Sequence, residues 1–224
     1  AALKTAQIAA LTPDQISKLT LEQIVALTTA QANALSGVQL NALTTAQLSA
    51  METQDFAALR TSQLLGLGTN SIAILSPNQV AALKTEQVSQ LTSDQIRVLS
   101  SDQIGALTTL QVGSLSPLQI SYLLASQLAV LSNADWAALK SQQLNALSTE
   151  QLAAVTTSQI VALTTAQASQ IAASQLNALS SEQLNALETR DLNALTSAQI
   201  AALGTATVVA LDLTHMAALN SRQI

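Results

Sequence analysis

The chain contains no cysteine, which excludes a disulfide framework, a thiolate zinc site and a cysteine nucleophile together. Aromatic residues make up 1% of it, and a single histidine leaves little for a metal centre or general acid–base chemistry. Basic side chains are scarce as well: 8 Lys+Arg against 13 Asp+Glu give a net charge of −5, with no basic stripe to follow a phosphate backbone. Charged residues total only 9% while apolar ones reach 49%, the reverse of a disordered composition. Long apolar runs are also missing. Residues 103–134 carry no charge, yet Thr, Ser or Gln interrupts them throughout, so no stretch suits membrane insertion. No charged-then-apolar leader opens the sequence, which starts at Ala1 in the middle of its pattern and reads as a mature segment or a fragment.

What is present is one unit of eight residues, repeated without insertion or deletion, since 28 × 8 = 224. Every eighth residue from Leu3 to Leu219 is Leu, except Met51, Val155 and Ile171. The row from Ile8 to Ile224 is apolar in every copy, and its largest odd members are Phe56, Trp136 and Met216. The row that starts at Gln7 departs from Gln only at Asp55, Ser71, Asp135, Asp191, Thr207 and His215. A register held this strictly gives each octad an equivalent place in a stack.

Residues 11–19, Leu-Thr-Pro-Asp-Gln-Ile-Ser-Lys-Leu, show what one octad is. Thr12 three positions before Gln15 is a capping box, with Leu11 and Ile16 placed as a hydrophobic staple. Pro13, Pro77 and Pro117 each follow a Thr or Ser and fall on the first helical position, where a missing N–H costs nothing. Every acid lies at a cap or in a first helical turn, where a carboxylate complements the helix dipole. Lys4, Arg60, Lys84 and Lys140 occupy the cap position, and each is followed by a Thr or Ser able to take over capping. The pattern therefore predicts a short helix of about two turns in each octad, restarted at each hydroxyl.

A single continuous helix is excluded, because eight residues overshoot two turns by about 80° and the Leu row would spiral around the axis. A β-solenoid is the rival architecture, but Ala, Gln and Leu disfavour strands and the Pro and acid placement has no β explanation. The expected fold is an all-α solenoid of 28 capped units, continuous over residues 1–224 and part of a longer array. The number of octads per coil is left open. Gln, Thr/Ser and the Asn residues at 33, 41, 145, 177, 185 and 193 are assigned to a polar outer face, so changing Gln15 is expected to cost little.

Candidate sites are few. His215, with Asp212 at the cap, reads as a cap variant, because one imidazole alone is a poor metal site. The pairs Glu52/Asp55 and Glu188/Asp191 have the spacing for paired carboxylates, yet both members occupy positions that the helix dipole favours. No catalytic, cofactor-binding or metal-ligating residue is expected, and the chain reads as a non-enzyme. Phe56, Trp136 and Met216 are evenly spaced, and Leu67-Gly68-Thr69 recurs in the same register at Leu203-Gly204-Thr205. Both echoes read as traces of larger duplications, with lateral contact points as the alternative.

Two resemblances bear on function. Residues 11–16 are similar to the repeat opening of TAL effectors, which bind DNA, but the octad is far shorter and nothing corresponds to that family's base-reading loop. Over its length the chain resembles the Leu-Thr-Thr-Ala-Gln-Ile octapeptide arrays of large secreted or surface proteins of proteobacteria. Ala42 to Leu48 and Val161 to Gln167 carry that consensus. The resemblance implies a structural role at the cell surface or outside the cell, and no site residues. The expected function is a filament shaft or surface-layer subunit, partnered by copies of itself end to end and laterally, without nucleic acid or cofactor. First and last octads resemble interior ones, which accords with end-to-end docking. The alternatives are an adhesion solenoid that binds a ligand and an ice-binding surface of aligned Thr residues.

Overall fold

The computed structural model describes residues 3–223 and contains helices joined by short extended corners, with no strand among those residues. Each octad from the first to the twenty-seventh holds one helix of four to six residues, shorter than the two turns expected from sequence. The unit closes early because its apolar Leu leaves the helix. Leu35 lies at φ −61°, ψ 139° and the next residue, Ser36, at φ −78°, ψ 161°, so the corner consists of two extended residues. No described residue has a positive φ, and the corners therefore need no glycine. This explains how so regular a turning chain holds only 6 of them.

The local hydrogen bonds follow from the capping pattern. Thr12 Oγ1 accepts from the Gln15 N–H at 3.2 Å, while the Thr12 N–H donates to Gln15 Oε1 at 2.9 Å. Pro13, Pro77 and Pro117 all open helices, and the acids all fall on caps or first turns, as the sequence pattern requires. At the basic caps one expectation fails. Thr5, Thr61, Thr85 and Ser141 do not take over capping; Lys4, Arg60, Lys84 and Lys140 remain the cap residues, without a side-chain cap bond. Their backbone N–H groups are held by the Gln of the same helix, as in Lys84 to Gln87 Oε1 at 2.6 Å. Moving the cap by one residue would carry the Leu and Ile rows out of the core. Register outweighs one hydroxyl bond, which is worth about 1 kcal/mol.

The chain falls into two compact units, Ala1–Ser114 and Leu115–Ile224. In the first, helix Thr5–Ala9 packs on Thr29–Ala34, that on Thr53–Ala58, that on Pro77–Ala81, and that on Ser101–Gly105. A second column runs Pro13–Ser17, Gly37–Ala42, Thr61–Leu65, Thr85–Val88 and Thr109–Ser114. In the second unit Asn133–Ala138, Thr157–Val161, Ser181–Leu184 and Thr205–Ala210 pack in the same order. Within each unit these helices thus sit on the one three octads earlier, and three octads make one coil.

The stack has a direction. Ile8, Ile16 and Ile24, which belong to the first coil, are already buried by the coil that follows. Gln7, Gln15 and Gln23 in that same coil are exposed, having no earlier coil against them, and from Gln31 onward the Gln residues of the row are buried except the half-buried Gln199. The Ile row therefore faces the next coil and the Gln row the previous one. Phe56 and Trp136 lie in the core and are not lateral contact points, whereas Met216 is 42% exposed.

Candidate functional site

Gln residues assigned to the outer face by sequence are instead interior, and the reason is backbone chemistry. A helix of four to six residues leaves nearly all of its terminal carbonyls without intrahelical partners. Stacking buries those carbonyls, so something must donate to them. Gln63 Nε2 donates to the carbonyls of Ala32, Asn33 and Leu35, at 3.3, 3.1 and 2.5 Å. Gln103 reaches Ile72 and Leu75 at 3.1 and 2.6 Å, and in the second unit Gln159 reaches Leu128 and Leu131 at 3.0 and 2.8 Å. The offsets are 31 and 28 residues each time, which places the amide over the corner one coil earlier. Its oxygen meanwhile caps its own helix: Gln159 Oε1 accepts from the Thr156 N–H at 2.9 Å. One side chain satisfies the start of its own helix and the end of another.

Asn residues run the opposite way: Asn41, Asn145, Asn177 and Asn193 are exposed and Asn33 and Asn185 half-buried, so they keep to the outer face while bridging to the next coil. Asn41 Nδ2 donates forward to the Gly66 carbonyl at 2.6 Å, and its oxygen accepts from the Gly68 N–H at 2.8 Å. Gly68 is a cap without a side chain, in an octad whose Gln is replaced by Ser71, so Asn41 supplies the bond that this octad lacks. The same arrangement recurs at the second Leu-Gly-Thr, where Asn177 accepts from the Gly204 N–H at 2.8 Å and the Thr207 hydroxyl at 2.8 Å. Asn185 serves Asp212 N–H at 3.0 Å, in the octad where His215 stands for Gln. Asn145 serves Ala172, a cap with no hydroxyl, at 3.0 Å. The Leu-Gly-Thr echo noted in the sequence is thus a matched pair of defect and remedy.

The exceptions in the Gln row separate chemically. His215 keeps the contact of Gln with the previous coil but not its cap bond: Nε2 lies 2.8 Å from the Leu187 carbonyl, while Nδ1 lies 2.7 Å from the Asp212 carboxylate oxygen Oδ1 and Asn185 holds the Asp212 N–H. Burial depresses its pKa, but the Leu187 carbonyl and the Asp212 carboxylate outweigh this together and leave it raised. The Asp212 carboxyl is lowered, first by the His215 backbone N–H and then by its ring. Asp135 Oδ2 accepts from the Ser132 N–H at 2.9 Å and hydroxyl at 2.6 Å. Asp191 Oδ1 accepts from the Thr165 hydroxyl at 2.7 Å, with Arg190 Nε 3.6 Å away.

Asp55 differs: it is fully buried, and neither carboxyl oxygen has a hydrogen-bond partner. Burial pushes it up to about 6, with a further push from Glu52. Position three of the helix fixes this outcome, since a residue there faces the previous coil whatever its type. The pair Glu52/Asp55 is therefore split, one carboxylate exposed and one in the seam. Sequence periodicity could have found this, had the Gln row been recognised as facing inward.

Among the described residues no group of three or more His, Cys, Asp or Glu is placed to hold a metal ion, and no helix is long and apolar enough to cross a membrane. The site that the chain does build is the repeating seam, which binds backbone.

No curated protein matches the chain. A family model for the ALTTAQ repeat matches it four times, at residues 48–85, 80–117, 128–165 and 184–221, which together cover more than half of the sequence. The matched segments take in the Gln and Leu rows of the seam in both compact units, and the chain belongs to the ALTTAQ repeat family.

Proposed function

We propose that the chain is a non-enzymatic structural element, the shaft or subunit of an extracellular filament or surface layer that grows by self-association. The observation that carries this reading is the direction of the seam. Each coil donates amide hydrogens to the coil before it and offers corner carbonyls to the coil after it, so both faces of any coil are mutually complementary. Complementary unlike faces make a head-to-tail contact, which propagates into open filaments rather than closed dimers. The polar side chains that would otherwise serve catalysis are engaged in satisfying backbone, and a surface with 9% charged residues has little self-repulsion against lateral contact. The chemistry of such faces favours further octads of the same kind as the partner. Resemblance to octapeptide arrays of large secreted proteins supports placement at or beyond the cell surface.

Electron microscopy of the purified protein across a concentration series tests the proposal. Ordered fibres of coil-stack width, lengthening with concentration, are the expected result. Dispersed particles at all concentrations, with sedimentation as a monomer, would refute it.

A further inference from the structure

Asp55 is the one rung of the first unit's seam where a buried carboxyl stands in place of the amide. Subtracting the ladder's offsets of 31 and 28 residues places it over the carbonyls of Ile24 and Leu27, between the rungs of Gln47 (to Ile16 and Leu19) and Gln63 (to Ala32 and Leu35). The Gln members of the ladder present N–H to the corner they cover. A carboxylate has no hydrogen to present, and carbonyl oxygens repel it; a neutral carboxylic acid has one. We propose that Asp55 is a proton-operated joint between coils, which donates its carboxyl hydrogen across the seam to the Ile24–Leu27 corner when neutral and opens that seam when ionised.

Geometry around the side chain supports the neutral form. Both oxygens are buried and no donor reaches either of them, unlike Asp135, which is held by Ser132, and Asp191, which is held by Thr165. The helices packed most closely on Thr53–Ala58 include Thr29–Ala34 and Pro77–Ala81, and neither of these carries a titratable side chain. The Ile24–Leu27 corner carries none either. Glu52, at the cap of the same helix, adds a like charge that further favours holding the proton. With its carboxyl pushed up to about 6, the group changes state within the range between an acidified and a neutral environment. Its folded pKa lies above the 3.8 of a free aspartate. The contribution to stability is therefore fully present below that value and is lost as pH rises through the folded pKa.

The test uses the full chain, with carboxyl-carbon NMR to titrate Asp55 and amide hydrogen exchange to follow the corner, in wild type and Asp55→Asn. Asp55 is expected to titrate near 6, by comparison with the spectrum of the variant. Corrected for intrinsic rate, protection at residues 24–35 should fall on the order of 10-fold between about pH 5 and 7.5 in wild type and stay flat in the variant. If Asp55→Asn does not fold, Asp55→Gln installs the ladder's own residue and serves the same comparison. Titration at or below 4, or equal pH profiles in wild type and variant, would overturn the joint. So would retained protection at pH 7.5 that depends on added sodium, potassium, magnesium or calcium, since the partner of the carboxylate would then be a cation.

Discussion

Gln103→Ala measures the seam most directly, because Gln103 is 2% exposed and its side-chain bonds have separate destinations. The amide nitrogen serves Leu75 O at 2.6 Å and Ile72 O at 3.1 Å, and the amide oxygen serves the Ser100 N–H at 2.7 Å. Truncation removes the Gln donor of the Leu75 carbonyl within a residue that is itself 4% exposed, a cost of about 1–3 kcal/mol. The Ile72 carbonyl keeps its bond from the Leu75 N–H at 3.3 Å, and Ser100 lies at the surface where water replaces the cap, so these add little. The void left by the side chain adds about 1 kcal/mol, for a total of roughly 2–4 kcal/mol. Gln15 makes the same cap bond from an exposed position with no earlier coil, and Gln15→Ala should cost at most about 1 kcal/mol. Gln103→Glu preserves shape, replaces the donors by a carboxylate facing carbonyls, and should be worse than Ala at neutral pH but partly recover in acid. Urea unfolding followed by circular dichroism gives the differences, with hydrogen exchange to locate the opened coil, since repeat stacks depart from two-state behaviour. Equal costs for Gln103→Ala and Gln15→Ala would refute the interior assignment of the row.

Three further outcomes follow from the same geometry. Asn41→Ala removes the bonds to the Gly66 carbonyl and Gly68 N–H and should cost about 1 kcal/mol, while adding Ser71→Gln supplies the missing amide and should recover most of it in chemical denaturation. Leu99→Asp sets a carboxylate in the core at a position 4% exposed and should abolish cooperative melting of its unit, where Thr109→Asp at a first helical position should be nearly neutral. His215 has a raised folded pKa, so its stabilisation is fully present below the ordinary value of 6.5 and is lost as pH rises through the folded pKa. His215→Gln should remove that pH dependence from thermal melts and raise stability at about pH 8 relative to wild type.

The helical unit was legible in the sequence because it is a local matter. Thr12, Pro13, Asp14 and Gln15 each answer a requirement of one helix start, and the structure places them there. The number of octads per coil was not legible, because it depends on the corner angle, and the same Leu-Thr pair is compatible with several. The inward direction of Gln was missed for a related reason. Polarity suggests a surface, and only the shortness of the helices, with so many terminal carbonyls to satisfy, reverses that inference. The partner of each Asn was not legible either: Asn41 is exposed, as its polarity suggests, but it answers a deficit at Gly68, 27 residues away, which no local window contains. Asp55 carried a signal in the sequence, as a break in an otherwise constant row, but its meaning depended on knowing what the row faces.

The buried amides also settle which coil pairs with which. Leu and Ile rows are nearly identical from octad to octad, and apolar contact is non-directional, so these rows alone would accept two, three or four octads per coil with similar burial. An amide that must reach a carbonyl 28 residues back while holding an N–H three residues back accepts only one spacing. Any other leaves buried carbonyls unpaired at about 1–3 kcal/mol each, repeated at every rung. A polar group retained inside an otherwise apolar stack thus acts as a register device. The same logic explains the remedies. A Gln can be lost where an Asn one coil earlier restores the cap bond, as at Ser71 and Thr207, or where an imidazole keeps the contact with the carbonyl 28 residues back and an Asn holds the cap N–H, as at His215. At Asp55 no donor makes up the loss, and that rung can close only by carrying its own hydrogen.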